Sequence, residues 1–161
     1  MGFFDRLFGI KKDALCAPVA GEAVALDQVN DPTFSSEMLG KGMAIIPTGN
    51  QIVAPCDGTV DMMFETGHAV TLIADFGAEV LIHVGLDTVN LKGEHFQVLA
   101  KAGDTVKKGD VLMNFDREAI AAAGYDVITP MVVCNSDKYS TFKTHIGQPV
   151  AAGDVVVELA E

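Results

Sequence analysis

Two of the four histidines, His68 and His83, stand in strongly apolar surroundings. Between them runs the segment H-A-V-T-L-I-A-D-F-G-A-E-V-L-I-H, in which two apolar stretches flank a short break. This pattern predicts a β-hairpin whose turn is centred near Asp75 and Phe76. Pairing about that centre places His68 directly opposite His83, with Cβ atoms ~4.5–5.5 Å apart, so both imidazoles can contact one ligand.

Two imidazoles on one apolar face are poor packing material, because each ring carries a polar nitrogen that must find a partner. A functional pair is therefore the better interpretation. A phosphohistidine needs a neutral ring nitrogen as nucleophile and a ring that is oriented through its other nitrogen. Thr66, two residues before His68, is placed to orient the second imidazole. That imidazole can then donate to the phosphoryl oxygens as charge develops.

Zinc hydrolysis is the main alternative, since zinc also binds paired histidines. It requires a third ligand and a general base, and no H-x-H or H-E-x-x-H motif supplies them. Asp87 is a candidate third ligand, but its position four residues along the strand from His83 predicts that it cannot reach the same ion. Gly85 is expected to leave space for a ligand or a partner. No G-x-x-x-x-G-K-S/T loop is present, so the phosphoryl group is expected to arrive on a protein.

The elements that position this pair are predicted to be short strands. From residue 17 onward the apolar segments are rich in valine and isoleucine and are separated by Gly, Pro, Asn or Asp, which is typical of an all-β sandwich or barrel. The clearest strand segments are 43–47, 51–55, 69–74, 110–115 and 154–159. One helix is predicted in D-R-E-A-I-A-A-A-G, with Asp116 as its N-cap and Gly124 at its end. A second helical turn is predicted near residues 36–39.

Two internal repeats refine the architecture. A-P-V-A-G at 17–21 recurs as A-P-C-D-G at 54–58, and G-D-T-V-K-K-G-D-V at 103–111 recurs as G-Q-P-V-A-A-G-D-V at 147–155. The glycines of the second pair predict tight turns on either side of a short strand. Duplicated small β units that pack face to face predict a single-domain antiparallel β-sandwich with one or two short helices.

The charge balance restricts the partners. With 22 acidic and 11 basic residues, the formal net charge is −11, which argues against nucleic acid because phosphate binding depends on clustered Lys and Arg. A basic protein partner fits better. The three cysteines, Cys16, Cys56 and Cys134, are widely spaced, which favours reduced thiols in a cytosolic protein over a disulfide framework or a zinc knuckle.

Residues 1–13 are interpreted as an amphipathic leader and linker. On a helical wheel Phe4, Leu7 and Phe8 share one face, while Asp5 and Arg6 are polar. Such a segment can lie on a membrane surface, or it can be a frayed terminus that packs loosely on the domain, and the two interpretations are equally supported. Residues 14–161 are expected to form the single folded domain.

Together, the motifs resemble the glucose-type enzyme IIA component of the bacterial phosphoenolpyruvate-dependent sugar phosphotransferase system. The resemblance rests on segments that run in order through the body of the chain: A-P-V-A-G, G-K-G-M-A-I-I-P-T-G-N, V-A-P-C-D-G-T-V, F-E-T-G-H-A-V, L-I-H-V-G-L-D-T-V-N-L-K-G-E, G-D-T-V-K-K-G-D-V-L and I-T-P-M-V-V. It implies a β-sandwich with a shallow apolar depression that contains the histidine pair.

The resemblance also implies a route for the phosphoryl group. His83 is expected to accept it on the tele nitrogen from the histidine-containing phosphocarrier protein (HPr) and to pass it to a cysteine on the IIB domain of a sugar permease. His68 is expected to support the transition state without being phosphorylated, and Thr66 to orient an imidazole. This role implies a place in the cytoplasm, with contact to the inner face of the membrane through residues 1–12.

For partner docking, the resemblance implies acidic residues at the rim of the site and apolar residues around it. The expected docking positions are Asp31, Phe34, Leu39, Phe64, Val70 and Asp87. No cofactor is required, and zinc at His68 and His83 is expected only in a complex with a partner that adds a carboxylate. Two alternatives remain open, namely a protein that mainly regulates others according to the phosphorylation of His83 and a zinc-dependent hydrolase.

Overall fold

Antiparallel strands are the main regular structure of residues 13–161, which are the part of the chain that the computed structural model describes. The strands are β1 (Asp13–Cys16), β2 (Gly21–Ala25), β3 (Lys41–Pro47), β4 (Gln51–Val53), β5 (Gly58–Met63), β6 (Ala69–Ala74), β7 (Glu79–His83), β8 (Phe96–Val98), β9 (Thr105–Val106), β10 (Val111–Phe115), β11 (Thr129–Val133), β12 (Thr141–Thr144), β13 (Gln148–Val150) and β14 (Val155–Ala160). The α-helices are α1 (Pro32–Ser35) and α2 (Arg117–Ala122). No helix in residues 13–161 has the length and apolar character needed to cross a membrane. The amphipathic leader at 1–12 lies outside the described residues, so its contact with a membrane stays a prediction.

The strands form three antiparallel sheets. The largest has eight strands in the order β13-β2-β3-β11-β7-β6-β5-β9, and the other two have the orders β1-β14-β12 and β4-β10-β8. Side chains from all three sheets meet in one core, to which Leu15, Ile52 and Leu72 each contribute from a different sheet. The predicted all-β sandwich is therefore confirmed.

Strand β7 buries side chains on both faces of the large sheet. Val80 and Ile82 belong to the main core, where full burial of such a side chain contributes roughly 1.5–3 kcal/mol. Leu81, between them, packs against a second apolar cluster that contains Phe34 of α1. Because successive side chains alternate across a strand, His83 follows Leu81 onto this second face. The main core thus anchors β7, and His83, the last residue of this strand, lies on the face that carries the smaller apolar cluster.

The predicted duplication is visible in the pairing of the large sheet. Strands β2 and β5 follow the two A-P-x-x-G motifs, and they pair with β13 and β9, which lie in the other pair of repeats. Gly21 pairs with Val150 and Gly58 pairs with Val106, at equivalent positions of the repeats. Strands β13 and β9 occupy the two edges of the sheet, with β2 and β5 as their inner neighbours, so the two units have equivalent places in the strand order.

Of the two helices, one lies where the sequence analysis predicted it and the other begins earlier in the chain. The predicted helix after Asp116 is present, and the Asp116 carboxylate accepts a hydrogen bond from the N–H of Ala119. The helical turn predicted near residues 36–39 was wrong in position, because α1 begins at Pro32. Asp31 caps this helix by accepting from the N–H of Thr33, and proline suits a first turn because it has no N–H to satisfy.

The two ends of the described chain lie side by side. Strand β1 pairs with β14, and Asp13 stands opposite Leu159. Asp13 also lines a cavity together with Asp75 and Phe76, which belong to the turn between β6 and β7. The ends therefore lie near the turn of this hairpin. Strand β6 has six residues, so its far end, where the histidines lie, is about 20 Å away.

Candidate functional site

His68 and His83 lie at the same end of the β6–β7 hairpin. His83 is the last residue of β7, whereas His68 immediately precedes β6. The register pairs His83 with Ala69, so the predicted pairing of His83 with His68 was wrong by one residue. The cause is the turn, which is centred on Phe76 itself and not between Asp75 and Phe76.

The two rings meet despite this shift because His68 is not part of the regular strand. Gly67, with a φ of +72°, turns the chain just before β6, so strand alternation does not decide the side on which His68 lies. The N–H of Val84 donates to the carbonyl of His68 at 2.7 Å and ties the two segments together. The ring centroids of His68 and His83 are 5.0 Å apart, and the ring planes make an angle of 82°.

A backbone hydrogen bond fixes the tautomer of His83. Its Nδ1 lies 2.6 Å from the carbonyl oxygen of Gly85. A carbonyl can only accept, so Nδ1 must carry the proton and donate. In the neutral ring the lone pair then resides on Nε2, which is the nitrogen available as a nucleophile. Phe34 packs against this ring at a centroid distance of 5.2 Å.

The ring of His68 is held in place by Thr66 and Phe64. Its Nδ1 lies 2.5 Å from the hydroxyl oxygen of Thr66, which confirms the predicted contact between these two residues. Thr66 belongs to the turn that precedes β6. Phe64 packs edge-on against the His68 ring at 5.3 Å. His68 is almost fully buried, with 4 % of its surface exposed.

Burial keeps both imidazoles largely neutral at pH 7. It lowers the pKa of His68 to about 4, with a further lowering from the adjacent His83. Burial also lowers the pKa of His83, although the Gly85 carbonyl and the carboxylates of Asp31 and Asp87 act in the opposite direction. Neutral rings are what both nucleophilic attack and metal binding require.

The two histidines line a cavity of about 320 Å³. Five of the residues predicted for docking also line it, namely Asp31, Phe34, Leu39, Phe64 and Asp87. Leu81 and Val89 were not predicted there. Strand alternation contained the signal for Leu81, which shares a face with His83, whereas no local pattern marks the half-exposed Val89. The wall is therefore apolar, with carboxylates from two separate loops.

Val70 does not belong to this cavity, so its predicted role in docking was wrong. Its side chain is fully buried in the main core, together with Ile82, with which it pairs across the hairpin. Each is next in sequence to a residue that lines the cavity, namely Ala69 and Leu81, and points to the opposite face of the sheet. A partner that approaches the histidines therefore cannot contact Val70.

Two further expectations concern the loop after β7, and the one about Gly85 was wrong. Gly85 does not serve as clearance for a ligand: its φ is +78°, and a Cβ there would lie 2.6 Å from Cγ2 of Thr88 and 2.7 Å from the carbonyl oxygen of Asp126. Asp87 was expected to lie too far along an extended strand to bind the same ion as His83. The strand ends at His83, and Asp87, with a φ of +60°, returns to the wall of the same cavity, but within residues 13–161 the two histidines and Asp87 are not arranged to hold a metal ion.

Neither a metal-binding cluster nor a reactive thiol is found among the other side chains of residues 13–161. In residues 13–161, no group of three or more His, Cys, Asp or Glu side chains is arranged to hold a metal ion. A larger cavity of about 580 Å³ lies near the β6–β7 turn and is lined by Cys16 and Cys56. Both are free thiols, and burial, with help from the Asp57 carboxylate, raises the pKa of Cys56 to about 12. These thiols are therefore protonated and poor nucleophiles.

Comparison with known proteins gives consistent matches over most of the chain. Residues 13–139 match the family model described as phosphoenolpyruvate-dependent sugar phosphotransferase system, EIIA 1. A glucose-specific EIIA component of the phosphotransferase system from Haemophilus influenzae is 40 % identical over 164 residues, covering 99 % of both chains. The solved structure of glucose permease IIA from Mycoplasma capricolum is 34 % identical, with a TM-score of 0.88 over 98 % of this chain and 99 % of that one.

Other relatives are much longer than this chain. The β-glucoside-specific EIIBCA component of Dickeya chrysanthemi is 49 % identical over 146 residues, which is 91 % of this chain but 22 % of that protein. The corresponding component of Bacillus subtilis is 49 % identical over 129 residues, covering 80 % of this chain and 21 % of that protein. The chain thus spans about a fifth of the length of these two curated relatives.

Proposed function

Because the chain belongs to the EIIA 1 family of the phosphoenolpyruvate-dependent sugar phosphotransferase system, we propose that it carries a phosphoryl group between proteins on Nε2 of His83. The observation that carries this proposal is the hydrogen bond from Nδ1 of His83 to the carbonyl of Gly85. It leaves Nε2 as the nucleophilic nitrogen of a ring that burial keeps neutral, in a cavity that His68 shares. The product is the tele isomer of phosphohistidine.

The transfer is a displacement at phosphorus. The Nε2 lone pair of His83 forms a bond to the phosphorus of a phosphohistidine on the donor protein, and the phosphorus–nitrogen bond of the donor breaks with its electron pair returning to the donor ring. In the second step a cysteine thiolate of the acceptor attacks the same phosphorus, and Nε2 of His83 leaves. Throughout, the Nδ1 proton of His83 stays hydrogen-bonded to the Gly85 carbonyl, which offsets the positive charge that the phosphorylated ring acquires.

His68 is proposed to stabilise the transferring group. We propose that the hydroxyl of Thr66 donates to Nδ1 of His68, so that the ring proton lies on Nε2. That N–H donates to an equatorial oxygen of the phosphoryl group, where charge is spread in the transition state. The side chain is buried and its geometry is fixed before the donor binds, so little reorganisation is required at the moment of transfer.

The cavity wall suggests how two partners use one face. Apolar side chains, chiefly Phe34, Leu39 and Phe64, exclude water from the transfer, while Asp31 and Asp87 offer carboxylates to a basic partner. The net charge of −11 favours the same kind of partner. We assign HPr as the donor and the IIB domain of a sugar permease as the acceptor.

The same proposal extends to the organisation of the protein. Residues 14–161 form the EIIA domain, which Asp13 joins as the first residue of β1, and residues 1–12 form a leader that contacts the inner face of the membrane from the cytoplasm. No cofactor takes part in the transfer. Zinc bound by His68 and His83 would need at least one further ligand, which a partner carboxylate can supply.

The test is a reconstituted phosphorylation. The protein is incubated with phosphoenolpyruvate, the general phosphotransferase enzyme and HPr, and acid-labile, base-stable phosphate is measured on the wild type and on the His83→Ala, His68→Ala and His95→Ala variants. His83→Ala should carry no label, whereas His95→Ala, which removes a histidine outside the cavity, should be labelled like the wild type. Phosphorus NMR of the labelled protein should show the tele isomer alone.

Onward transfer to an isolated IIB domain separates the two histidines. His68→Ala should still accept label, more slowly, but should transfer it to the acceptor cysteine at a strongly reduced rate. Label that survives His83→Ala, or a pros isomer in the wild type, would exclude Nε2 of His83 as the acceptor. Stoichiometric zinc binding and hydrolytic activity with no phosphorylation would favour the hydrolase instead.

A further inference from the structure

The loop that follows His83 contains two successive peptide units, and each is hydrogen-bonded through both its carbonyl and its N–H. The first joins Val84 to Gly85, and the second joins Gly85 to Leu86. In a planar trans peptide the carbonyl and the N–H point in opposite directions, so a partner on one side fixes the direction of the other. Both units belong to the turn that presents the Gly85 carbonyl to the His83 ring.

The second unit contains the carbonyl that accepts the hydrogen bond from the His83 ring. The N–H of Leu86 donates to the carbonyl of Asp126 at 3.0 Å. The carbonyl of Gly85, at the opposite side of the same unit, accepts from Nδ1 of His83 at 2.6 Å. The tautomer of His83 therefore depends on the orientation of this peptide plane.

The first unit meets the second at the Cα of Gly85, and the hydroxyl of Thr88 binds the carbonyl of this first unit. The N–H of Gly85 donates to the carbonyl of Ile128 at 3.0 Å. On the other side the carbonyl of Val84 accepts from the hydroxyl of Thr88 at 2.5 Å. Thr88 is fully buried, and its Cγ2 packs against Gly85 so closely that a side chain there would collide with it. No water can replace the hydroxyl at such a site without opening the loop.

We propose that Thr88 is a positioning residue for the transfer reaction, acting through the Val84 and Gly85 carbonyls to hold His83 in the tautomer whose Nε2 is nucleophilic. When the hydroxyl is removed, the buried Val84 carbonyl loses its hydrogen bond from Thr88. The peptide unit then rotates towards another donor. The Gly85 carbonyl then turns with it, and Nδ1 of His83 loses its fixed acceptor. The consequence for phosphoryl transfer rests on the function proposed above, whereas the consequence for the tautomer does not.

The experiment compares two buried hydroxyl side chains that each bind a backbone group. Thr88→Val removes the hydroxyl and keeps the shape of the side chain. Ser136→Ala is the control, because Ser136 is also buried and its hydroxyl accepts from the N–H of Lys41 at 3.0 Å, beside Asn135, which binds Glu79 at the end of β7 opposite to His83. Thr88→Ser keeps the hydroxyl and loses only the methyl group. Nitrogen-15 NMR of labelled imidazoles at pH 8 reports which nitrogen of His83 carries the proton.

In the wild type, Thr88→Ser and Ser136→Ala, the proton should remain on Nδ1 of His83, whereas Thr88→Val should show a mixture of tautomers. Initial phosphorylation rates should fall about 10- to 100-fold in Thr88→Val and less than about threefold in the other two variants, since a small misplacement of a reacting group has effects of this size. The phosphohistidine formed by Thr88→Val should include the pros isomer.

A folded Thr88→Val variant with the wild-type tautomer and a tele-only product would overturn the proposal. If Thr88→Val does not fold, Thr88→Ser decides: a mixed tautomer in this variant would show that the hydroxyl is not what holds the ring. Failure of every variant, including the wild type, to accept phosphate would refute the proposed function, and the tautomer measurement would still test the role of Thr88 independently.

Discussion

The low pKa of His68 makes the stability of the protein depend on pH, and the dependence can be worked out. Burial lowers this pKa from 6.5 to about 4 in the folded state. The unfolded chain therefore binds a proton at a higher pH than the folded protein does, and acidification favours unfolding. The stabilising contribution of a neutral buried His68 is fully present above pH 6.5 and is lost as the pH falls from there to 4.

The magnitude follows from the shift. A difference of one pKa unit corresponds to about 1.4 kcal/mol, so His68 should cost the protein about 2 kcal/mol of unfolding free energy between pH 7 and pH 5 and about 3 kcal/mol by pH 4. Carboxylates also titrate in this range, so the quantity to measure is the difference between the wild type and a His68→Gln variant. The variant should lose less stability than the wild type, by these amounts, over the same pH steps.

The assay is urea unfolding at pH 7, 6, 5 and 4, with an NMR titration of the His68 ring as the direct check. His95→Gln is the control, because it removes a histidine that does not line the cavity shared by His68 and His83. A His68 ring that titrates near pH 6.5, or equal losses of stability in the wild type and His68→Gln, would refute the reasoning. Equal effects of His95→Gln and His68→Gln would show that the buried site is not the cause.

Three other substitutions test local conformations by thermal or urea unfolding. His95→Gly should stabilise the protein by about 0.5 kcal/mol, because His95 has a φ of +76°; a loss of stability would show that its side-chain contacts outweigh the strain. Gly85→Ala should destabilise by about 2–4 kcal/mol, since its Cβ would meet the Asp126 carbonyl at 2.7 Å, and a change below about 1 kcal/mol would mean that the loop adjusts freely. Asp116→Ala should cost about 1 kcal/mol by removing the cap on the N–H of Ala119, whereas Asp116→Asn should retain most of it.

The parts of the fold that the sequence predicted are those with a local period or a repeated motif. Alternating side chains along β7 already placed Val80 and Ile82 on one face and His83 on the other, because a strand has a fixed period of two. The repeated glycine turns likewise indicated the duplicated units. Each of these features depends on a few neighbouring residues, so the chain itself contains the information.

The register and the composition of the site depended on features with no such period. A one-residue shift of the β6–β7 pairing follows from the turn around Phe76, and His68 meets His83 only because Gly67 redirects the chain before the strand. The cavity wall includes Phe34, which reaches the histidines from a helix far earlier in the chain. Val70 was misplaced because it was taken from the resemblance, without the register of β6 that puts its side chain in the main core.

The pairing of Asp13 with Leu159 bears on how the domain can be attached to others. A linker that continues from Asp13 and one that continues from Leu159 depart from nearly the same point, so the reach of a tether is nearly the same from either residue. That point lies near the turn of the β6–β7 hairpin, about 20 Å from the histidines, and an attached module leaves their face open. Circular permutation with new ends in an exposed loop away from the histidines should be tolerated for the same reason.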